Sequence, residues 1–123
     1  NTSMYQTIDL TSYANLIDSK HAVFNLSGWL GGYGQEDDHS IVSVVFKNYN
    51  SKNVGNKIQI GPVYSNARNN TNGLVFRTEI GVVPGDSRSM TVSVQMIWRD
   101  GNLNDASADN IRVDIQCNTF ICA

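Results

Sequence analysis

Apolar and polar residues alternate at every second position along much of this chain, and no other feature constrains its fold as strongly. Six stretches either show the alternation or form a continuous apolar run: residues 23–30, 41–46, 57–60, 74–80, 90–98 and 111–115. Because successive side chains of an extended strand point to opposite faces, each stretch is predicted to be a β-strand with one buried face. Trp29 and Trp98 lie at or next to the ends of two of the stretches and are predicted core anchors, with ligand contact as the alternative.

Gly, Pro and Asn clusters separate these stretches, as hairpin connections require. Six or more strands without long helical intervals are typical of an antiparallel two-sheet β-sandwich of the jelly-roll type. The one possible helix lies within residues 8–17, where a strand followed by a helical turn fits equally well. We predict a single all-β domain over residues 1–123.

The charge balance argues against two kinds of partner. Lys and Arg number 9 against 11 Asp and Glu, a net charge of -2, which is not the basic surface that nucleic acid requires. No segment approaches the roughly 18 uninterrupted apolar residues of a membrane helix. Neutral polar residues are abundant, and Asn1, Asn25 and Asn69 begin glycosylation sequons, so we expect a secreted protein.

Cys117 and Cys122 are the two cysteines of the chain, close together near its end. A short disulfide between them is the favoured interpretation, and two free thiols or intermolecular bridges are the alternatives. Neither metal binding nor catalysis suits this spacing.

Alternate connections of an antiparallel sandwich emerge at the same end of the molecule. Loops 31–40, 62–72 and 99–109 are therefore predicted to meet at one end, called the rim below. The rim loops hold six of the eleven carboxylates, namely Glu36, Asp37, Asp38, Asp100, Asp105 and Asp109. Since binding residues concentrate on loops that a rigid scaffold positions, the rim is the predicted site.

Two ligands suit these residue types. Calcium prefers carboxylate, amide and carbonyl oxygens, which the pair Asp37-Asp38 together with Asp105 and Asp109 could supply, although solvated turn residues explain the same carboxylates. A sugar is bound by planar arrays of Asp, Asn, Gln and Arg, while an aromatic face such as Tyr33 or His39 covers its C–H side. Arg68 is either a ligand contact or a structural partner of a rim carboxylate.

Enzymatic interpretations fit less well. Glycoside hydrolysis needs two carboxylates with separated pKa values, which the rim could supply, but a short chain with polar loops offers little cleft. Neither His21 nor His39 has a nucleophile-elbow motif nearby. We expect no enzymatic activity.

Several motifs together resemble the galactose-binding-domain-like β-sandwiches, a superfamily with many carbohydrate-binding modules and lectins. The resemblance covers about residues 6–115 and rests on Gln6–Leu10, Leu26–Tyr33, Ile60–Val63, Arg68, Arg77, Arg88–Ser89, Asn104–Ala106 and Ala108–Asn110. It implies a non-catalytic jelly roll that often holds structural calcium, with Asp109 as a metal ligand where the last strand begins. It also implies that the polar rim maps to Gln35, Asp37, Asp38, Arg68, Asn104 and Asp105.

The sequence thus predicts an extracellular lectin that binds a glycan at the rim, with calcium as a cofactor. The predicted sugar-binding residues are Tyr33, Gln35, Asp37, Asp38, Arg68, Asn104 and Asp105, and the predicted metal ligand is Asp109. Because shallow single sites bind weakly, we expect a homo-oligomer that gains avidity. The alternatives are a protein-binding adhesion module and a small hydrolase.

Overall fold

The predicted strands pair into two antiparallel sheets in the computed structural model, which describes residues 1–118. The strands are β1 (Thr2–Asp9), β2 (Ala22–Gly32), β3 (His39–Lys47), β4 (Asn53–Ile60), β5 (Gly73–Val82), β6 (Ser89–Ile97) and β7 (Ser107–Cys117). One sheet has four strands in the order β1-β6-β3-β4, and the other has three in the order β5-β2-β7. The predicted all-β sandwich is confirmed. Cys122, half of the predicted disulfide, lies outside the described residues.

The segment between β1 and β2 forms a helical turn, so the second interpretation of residues 8–17 is correct. A 3₁₀ turn over Thr11–Tyr13 leads into the short helix α1 (Ala14–Asp18). The Asp9 carboxylate accepts the backbone N–H of Thr11 at 2.8 Å, which turns the chain out of β1. None of the helices in residues 1–118 has the length and apolar character needed to cross a membrane.

The centre of the core lies between β2 and β3, whose inward-facing residues are buried in strict alternation. These residues are Phe24, Leu26, Leu30, Val42, Val44 and Phe46. The rings of Phe24 and Phe46 meet across the two sheets with their centroids 5.8 Å apart. Each buried side chain of this kind contributes about 1.5–3 kcal/mol, so β2 and β3 form a rigid base for the loops that follow them.

The prediction that Trp29 and Trp98 anchor the core is wrong, because their side chains are 41% and 49% exposed. Trp29 lies on the outer face of the three-stranded sheet, with its ring centroid 5.4 Å from that of Phe76. Trp98 follows the last paired residue of β6 and lies in a rim loop. The alternation of apolar and polar residues continues in the sequence to Trp98, although β6 ends at Ile97. The sequence pattern therefore extends past the end of the strand.

The connections divide between the two ends of the sandwich. The first rim loop (33–38) follows β2, the second (61–72) follows β4 and the third (98–106) follows β6. At the opposite end lie α1 and the turn containing Tyr49, which is 85% exposed.

Candidate binding site at the loop rim

The three rim loops meet, as the strand topology predicted, and Asp37 lies at their junction. Its backbone N–H donates to Asp100 Oδ2 of the third loop at 2.7 Å. Its own Oδ1 accepts the backbone N–H of Ser65 in the second loop at 2.8 Å. The Ser65 backbone, followed by the Ser65 side chain, lowers the pKa of the Asp37 carboxyl below its ordinary value of 3.8. The ionised Asp37 carboxylate therefore holds the first loop against the second, and the Asp37 backbone N–H holds it against the third.

Asp38 is fully buried and organises the backbone of the third loop. Its Oδ1 accepts the N–H groups of Arg99 and Asp100 at 2.5 and 2.9 Å, and its Oδ2 accepts that of Asp105 at 2.9 Å. Burial acts to raise the pKa of this carboxyl, but the three N–H groups together outweigh it and hold the pKa below 3.8. The carboxylate satisfies donors that would otherwise be buried without partners.

Arg68 is 5% exposed and ties the first loop to the second. Its Nη2 donates to the carbonyls of Gly34 and Glu36 at 3.0 and 3.2 Å. Its Nε donates to Thr71 O at 3.0 Å, and its Nη1 to Val63 O at 3.4 Å. The planar guanidinium presents several donors in a fixed fork, so one side chain serves four carbonyls.

An acidic cluster lies beneath the rim, where single carboxylate oxygens of Glu36, Asp38 and Asp105 all fall within 4.8 Å of one another. Glu36 Oε2 is buried and has no hydrogen-bond partner among the described residues. A Cβ at Gly101 would lie 2.5 Å from Glu36 Oε1, so the glycine leaves room for this carboxyl.

Hydrogen bonding to the Asp105 side chain is the largest cause of a raised pKa at Glu36, above its ordinary value of 4.5. Two carboxyl groups can share a hydrogen bond only when one of them keeps its proton. Burial and the negative charges of Asp105, Asp38 and Asp100 act in the same direction. The arrangement therefore favours either a proton on Glu36 or a cation among the three carboxylates.

The predicted sugar-binding residues fall into two groups by exposure. Tyr33, Gln35 and Asn104 are exposed, whereas Asp37 and Asp105 are half-buried and Asp38 and Arg68 are buried. Tyr33 is 57% exposed, while Asn104 uses its amide to accept the N–H of Ala106 and donate to Met96 O. The exposed group can touch a ligand directly, and the buried group fixes the loops that carry it.

Asp109, the predicted metal ligand, lies outside the acidic cluster. It is exposed in β7 opposite Trp29, and its Oδ1 accepts the backbone N–H of Asn110 at 2.8 Å. Glu36 takes part instead, beside the predicted Asp38 and Asp105. The available signal in the sequence was its place in the acidic run Glu36-Asp37-Asp38 of the first rim loop.

Two aromatic assignments also change. His39 is 2% exposed, with its Nδ1 3.0 Å from Asp37 O and its ring centroid 4.9 Å from that of Tyr64, so it offers no face to a ligand. Trp98 takes that place at the rim, where its indole N–H donates to Gly101 O at 3.0 Å and fixes the ring.

The fold and the rim define an all-β two-sheet sandwich with an acidic, metal-competent cluster at its loop end. Among solved structures, the chain is similar to the enzymatically active domain of tailspike protein 4 of bacteriophage CBA120, with a TM-score of 0.61 and 15% identity. The similarity covers 93% of this chain but only 14% of that chain, and at this identity it shows the shared fold alone. No protein-family model and no curated protein matches the sequence. Membership of the galactose-binding-like superfamily therefore stays a prediction.

Proposed function

We propose that the rim binds a carbohydrate without catalysing a reaction, and that a calcium ion in the acidic cluster orders the rim loops. The observation that carries this proposal is the cluster itself, in which oxygens of Glu36, Asp38 and Asp105 lie within 4.8 Å of one another and Glu36 Oε2 is buried without a hydrogen-bond partner among the described residues. Exposed Gln35 and Asn104 are the chain neighbours of Glu36 and Asp105, so an ion held there would position the ligand-contacting surface.

The cluster suits a hard cation such as calcium. The carboxylate oxygens lie within 4.8 Å of one another, close enough for one ion to contact all three at the roughly 2.3–2.6 Å typical of calcium–oxygen bonds. The donors are all oxygen, which selects a hard cation over zinc. Asp38 Oδ2 accepts one N–H group and so keeps a lone pair for an ion. A bound cation would also remove the repulsion that raises the pKa of Glu36.

The exposed rim residues suit a sugar. Tyr33 and Trp98 are 57% and 49% exposed and offer aromatic faces to the C–H side of a sugar ring. Gln35 and Asn104 offer amide donors and acceptors for hydroxyl groups.

One observation favours a second function, the hydrolysis of glycosides. The pKa of Glu36 is raised while that of Asp38 is lowered, which resembles the division between a general acid and its ionised partner. The similar tailspike domain is also described as enzymatically active. Asp38, however, is 0% exposed and accepts three N–H groups, so a substrate atom has no path to it. We therefore favour binding.

The proposed setting follows from the same chemistry. A shallow rim binds one sugar weakly, so we propose that several copies of the chain present their rims together. We also propose that the protein acts outside the cell, in keeping with the sequons at Asn1, Asn25 and Asn69. A protein surface in place of a glycan is the alternative partner.

Calcium is expected to stabilise the chelator-treated protein, and Glu36→Gln is expected to abolish this effect. At about 100 times its Kd, a ligand that binds only the folded state adds about 2.7 kcal/mol to the free energy of unfolding. The measurement is thermal unfolding with calcium and with chelator. Glu79→Gln is the matched control, because Glu79 is exposed on β5 and the calcium effect should persist there.

The same variant separates a cation from a shared proton. In chelator, wild-type stability should fall as the pH rises above 4.5, because the raised pKa means that the folded state resists ionising Glu36. Glu36→Gln should remove this fall. If calcium leaves wild-type unfolding unchanged while Glu36→Gln stabilises the protein at neutral pH, the cluster holds a proton and the calcium proposal is wrong.

Glycan binding is expected to need Tyr33 and Trp98. Replacing either by Ala should weaken binding about tenfold, since an aromatic contact worth about 1.4 kcal/mol corresponds to that factor. Binding is measured on a glycan array in calcium and then by titration with the sugar that binds. Tyr49→Ala is the control, because Tyr49 is 85% exposed at the opposite end and should have no effect.

A folded, calcium-loaded protein that binds no glycan would refute the carbohydrate proposal. Turnover of aryl glycosides that is lost in Glu36→Gln would instead establish the hydrolase.

A further inference from the structure

Asn72 and Gly73 form the one Asn-Gly dipeptide in the sequence, and both are exposed where the second rim loop enters β5. The backbone N–H of Gly34 donates to Asn72 Oδ1 at 2.8 Å, which fixes the orientation of the side-chain amide. Gly73 has a φ of +151°, and a Cβ built on it would meet nothing within 4 Å. The side of Gly73 on which a side chain would lie is therefore open, while its backbone lies opposite Gly32 at the end of the β2–β5 pairing.

From this arrangement we propose that Asn72 deamidates spontaneously in the folded protein, which makes the rim a site of chemical modification. The backbone nitrogen of Gly73 loses its proton to base and attacks Cγ of Asn72, forming a new C–N bond. The bond from Cγ to the side-chain nitrogen breaks, and ammonia leaves with a proton from water. Water then opens the five-membered imide at either carbonyl, which gives aspartate or isoaspartate. Ammonia is lost and water is gained, with no oxidation or reduction.

The donor from Gly34 is what the fold adds to this chemistry. As Gly73 N attacks, negative charge develops on Asn72 Oδ1, the atom to which the Gly34 N–H is already directed. In hydrolases, removing one hydrogen-bond donor from the site of a developing oxyanion slows acyl transfer by about 10²–10³. Exposure to water makes this acceleration smaller at Asn72. The Gly34 N–H nevertheless offsets the slower ring closure that a folded backbone ordinarily imposes.

The modification would change the first rim loop as well as the second. Isoaspartate inserts an additional methylene into the backbone before β5, so the oxygen that accepts the Gly34 N–H moves away. Gly34 lies between Tyr33 and Gln35, two of the predicted ligand contacts. An effect on glycan binding rests on the proposed function, whereas the modification itself does not.

The test follows the intact protein over time at mildly alkaline pH and maps digested peptides by mass spectrometry. The probe is the mass change when an amide becomes a carboxyl, with fragmentation to identify isoaspartate. The reference is a synthetic peptide of residues 69–77, and Asn102 is the internal control, because it is exposed but followed by the bulky Leu103. Circular dichroism confirms that the protein stays folded during incubation.

We expect Asn72 in the folded protein to deamidate at least as fast as in the peptide and more than tenfold faster than Asn102. Asn72→Gln should abolish the signal, because glutamine would have to close a larger ring. Slower reaction in the folded protein than in the peptide would show that the fold protects Asn72, and the proposal would then be wrong.

Discussion

Replacing Arg68 by Met is expected to lower the free energy of unfolding by roughly 3–5 kcal/mol, because a buried multivalent donor is lost. Four carbonyls, those of Gly34, Glu36, Thr71 and Val63, accept hydrogen bonds from this side chain. Methionine has a similar length but no hydrogen-bond donor. The four carbonyls would therefore lose their partner at a position where the side chain is only 5% exposed to water. Urea unfolding at neutral pH measures the loss.

Arg68→Lys tests whether the fork or the charge matters. Lysine keeps the positive charge but carries one nitrogen, which cannot reach all the carbonyls that Nε, Nη1 and Nη2 serve. We therefore expect the lysine variant to lose roughly half as much stability or more.

Arg112→Met is the matched control for Arg68→Met, because it makes the same substitution in an exposed ion pair. Arg112 lies 2.9 Å from Asp114 with its side chain 68% exposed, so its loss should cost about 0.2–1 kcal/mol. Equal losses at Arg68 and Arg112 would show that the carbonyl contacts do not stabilise the rim.

The central strands β2 and β3 were the clearest to predict from the sequence, because one face of each is buried. In β2 the buried residues alternate through Phe24, Leu26 and Leu30, which is the pattern that the sequence shows. β1 gave no such pattern over Thr2–Asp9, where all residues but Ile8 are exposed. An edge strand of this kind is specified by its backbone pairing with β6, which lies far away in the sequence, so its own side chains carry little signal.

The rim could be predicted as a place but not as an arrangement of atoms. Strand topology brought the three loops to one end, since alternate antiparallel connections must emerge together. Asp37 and Asp38 are adjacent and chemically identical, yet one is half-buried and the other is fully buried. The difference depends on where the backbone N–H groups of the third loop lie, and a linear pattern does not contain that information.

The burial of Arg68 could not be predicted from the sequence either. A charged side chain in a polar loop is ordinarily a surface residue, and only the carbonyls that two loops direct at one point give it a buried position. Glu36 was passed over as a metal ligand for a related reason, since the room for its carboxyl is left by Gly101, a residue of another loop.

Asp38→Asn is the second substitution expected to have a large effect, a loss of roughly 2–4 kcal/mol at neutral pH. The amide keeps the shape of the carboxylate but places an N–H₂ group against one or two of the three backbone donors. Whichever way it turns, it opposes either Asp105 or the pair Arg99 and Asp100. Urea unfolding of both proteins measures the difference.

The size of this loss should depend on pH in one direction. Because the folded-state pKa of Asp38 lies below 3.8, the carboxylate stabilises the fold above 3.8, and this contribution is lost as the pH falls through the folded-state value. The difference between wild type and Asp38→Asn should therefore be large at neutral pH and shrink in acid.

Asp109→Asn is the matched control. Asp109 is exposed, and among the described residues its carboxylate accepts a hydrogen bond only from the backbone N–H of the neighbouring Asn110. Its effect should stay within about 0.5 kcal/mol at every pH. It also decides between the two metal assignments, because a calcium response that survives Asp109→Asn but disappears in Asp38→Asn assigns the ion to the acidic cluster. The reverse result would assign it to β7, where the resemblance placed it, and would leave the buried carboxylate with a structural role alone.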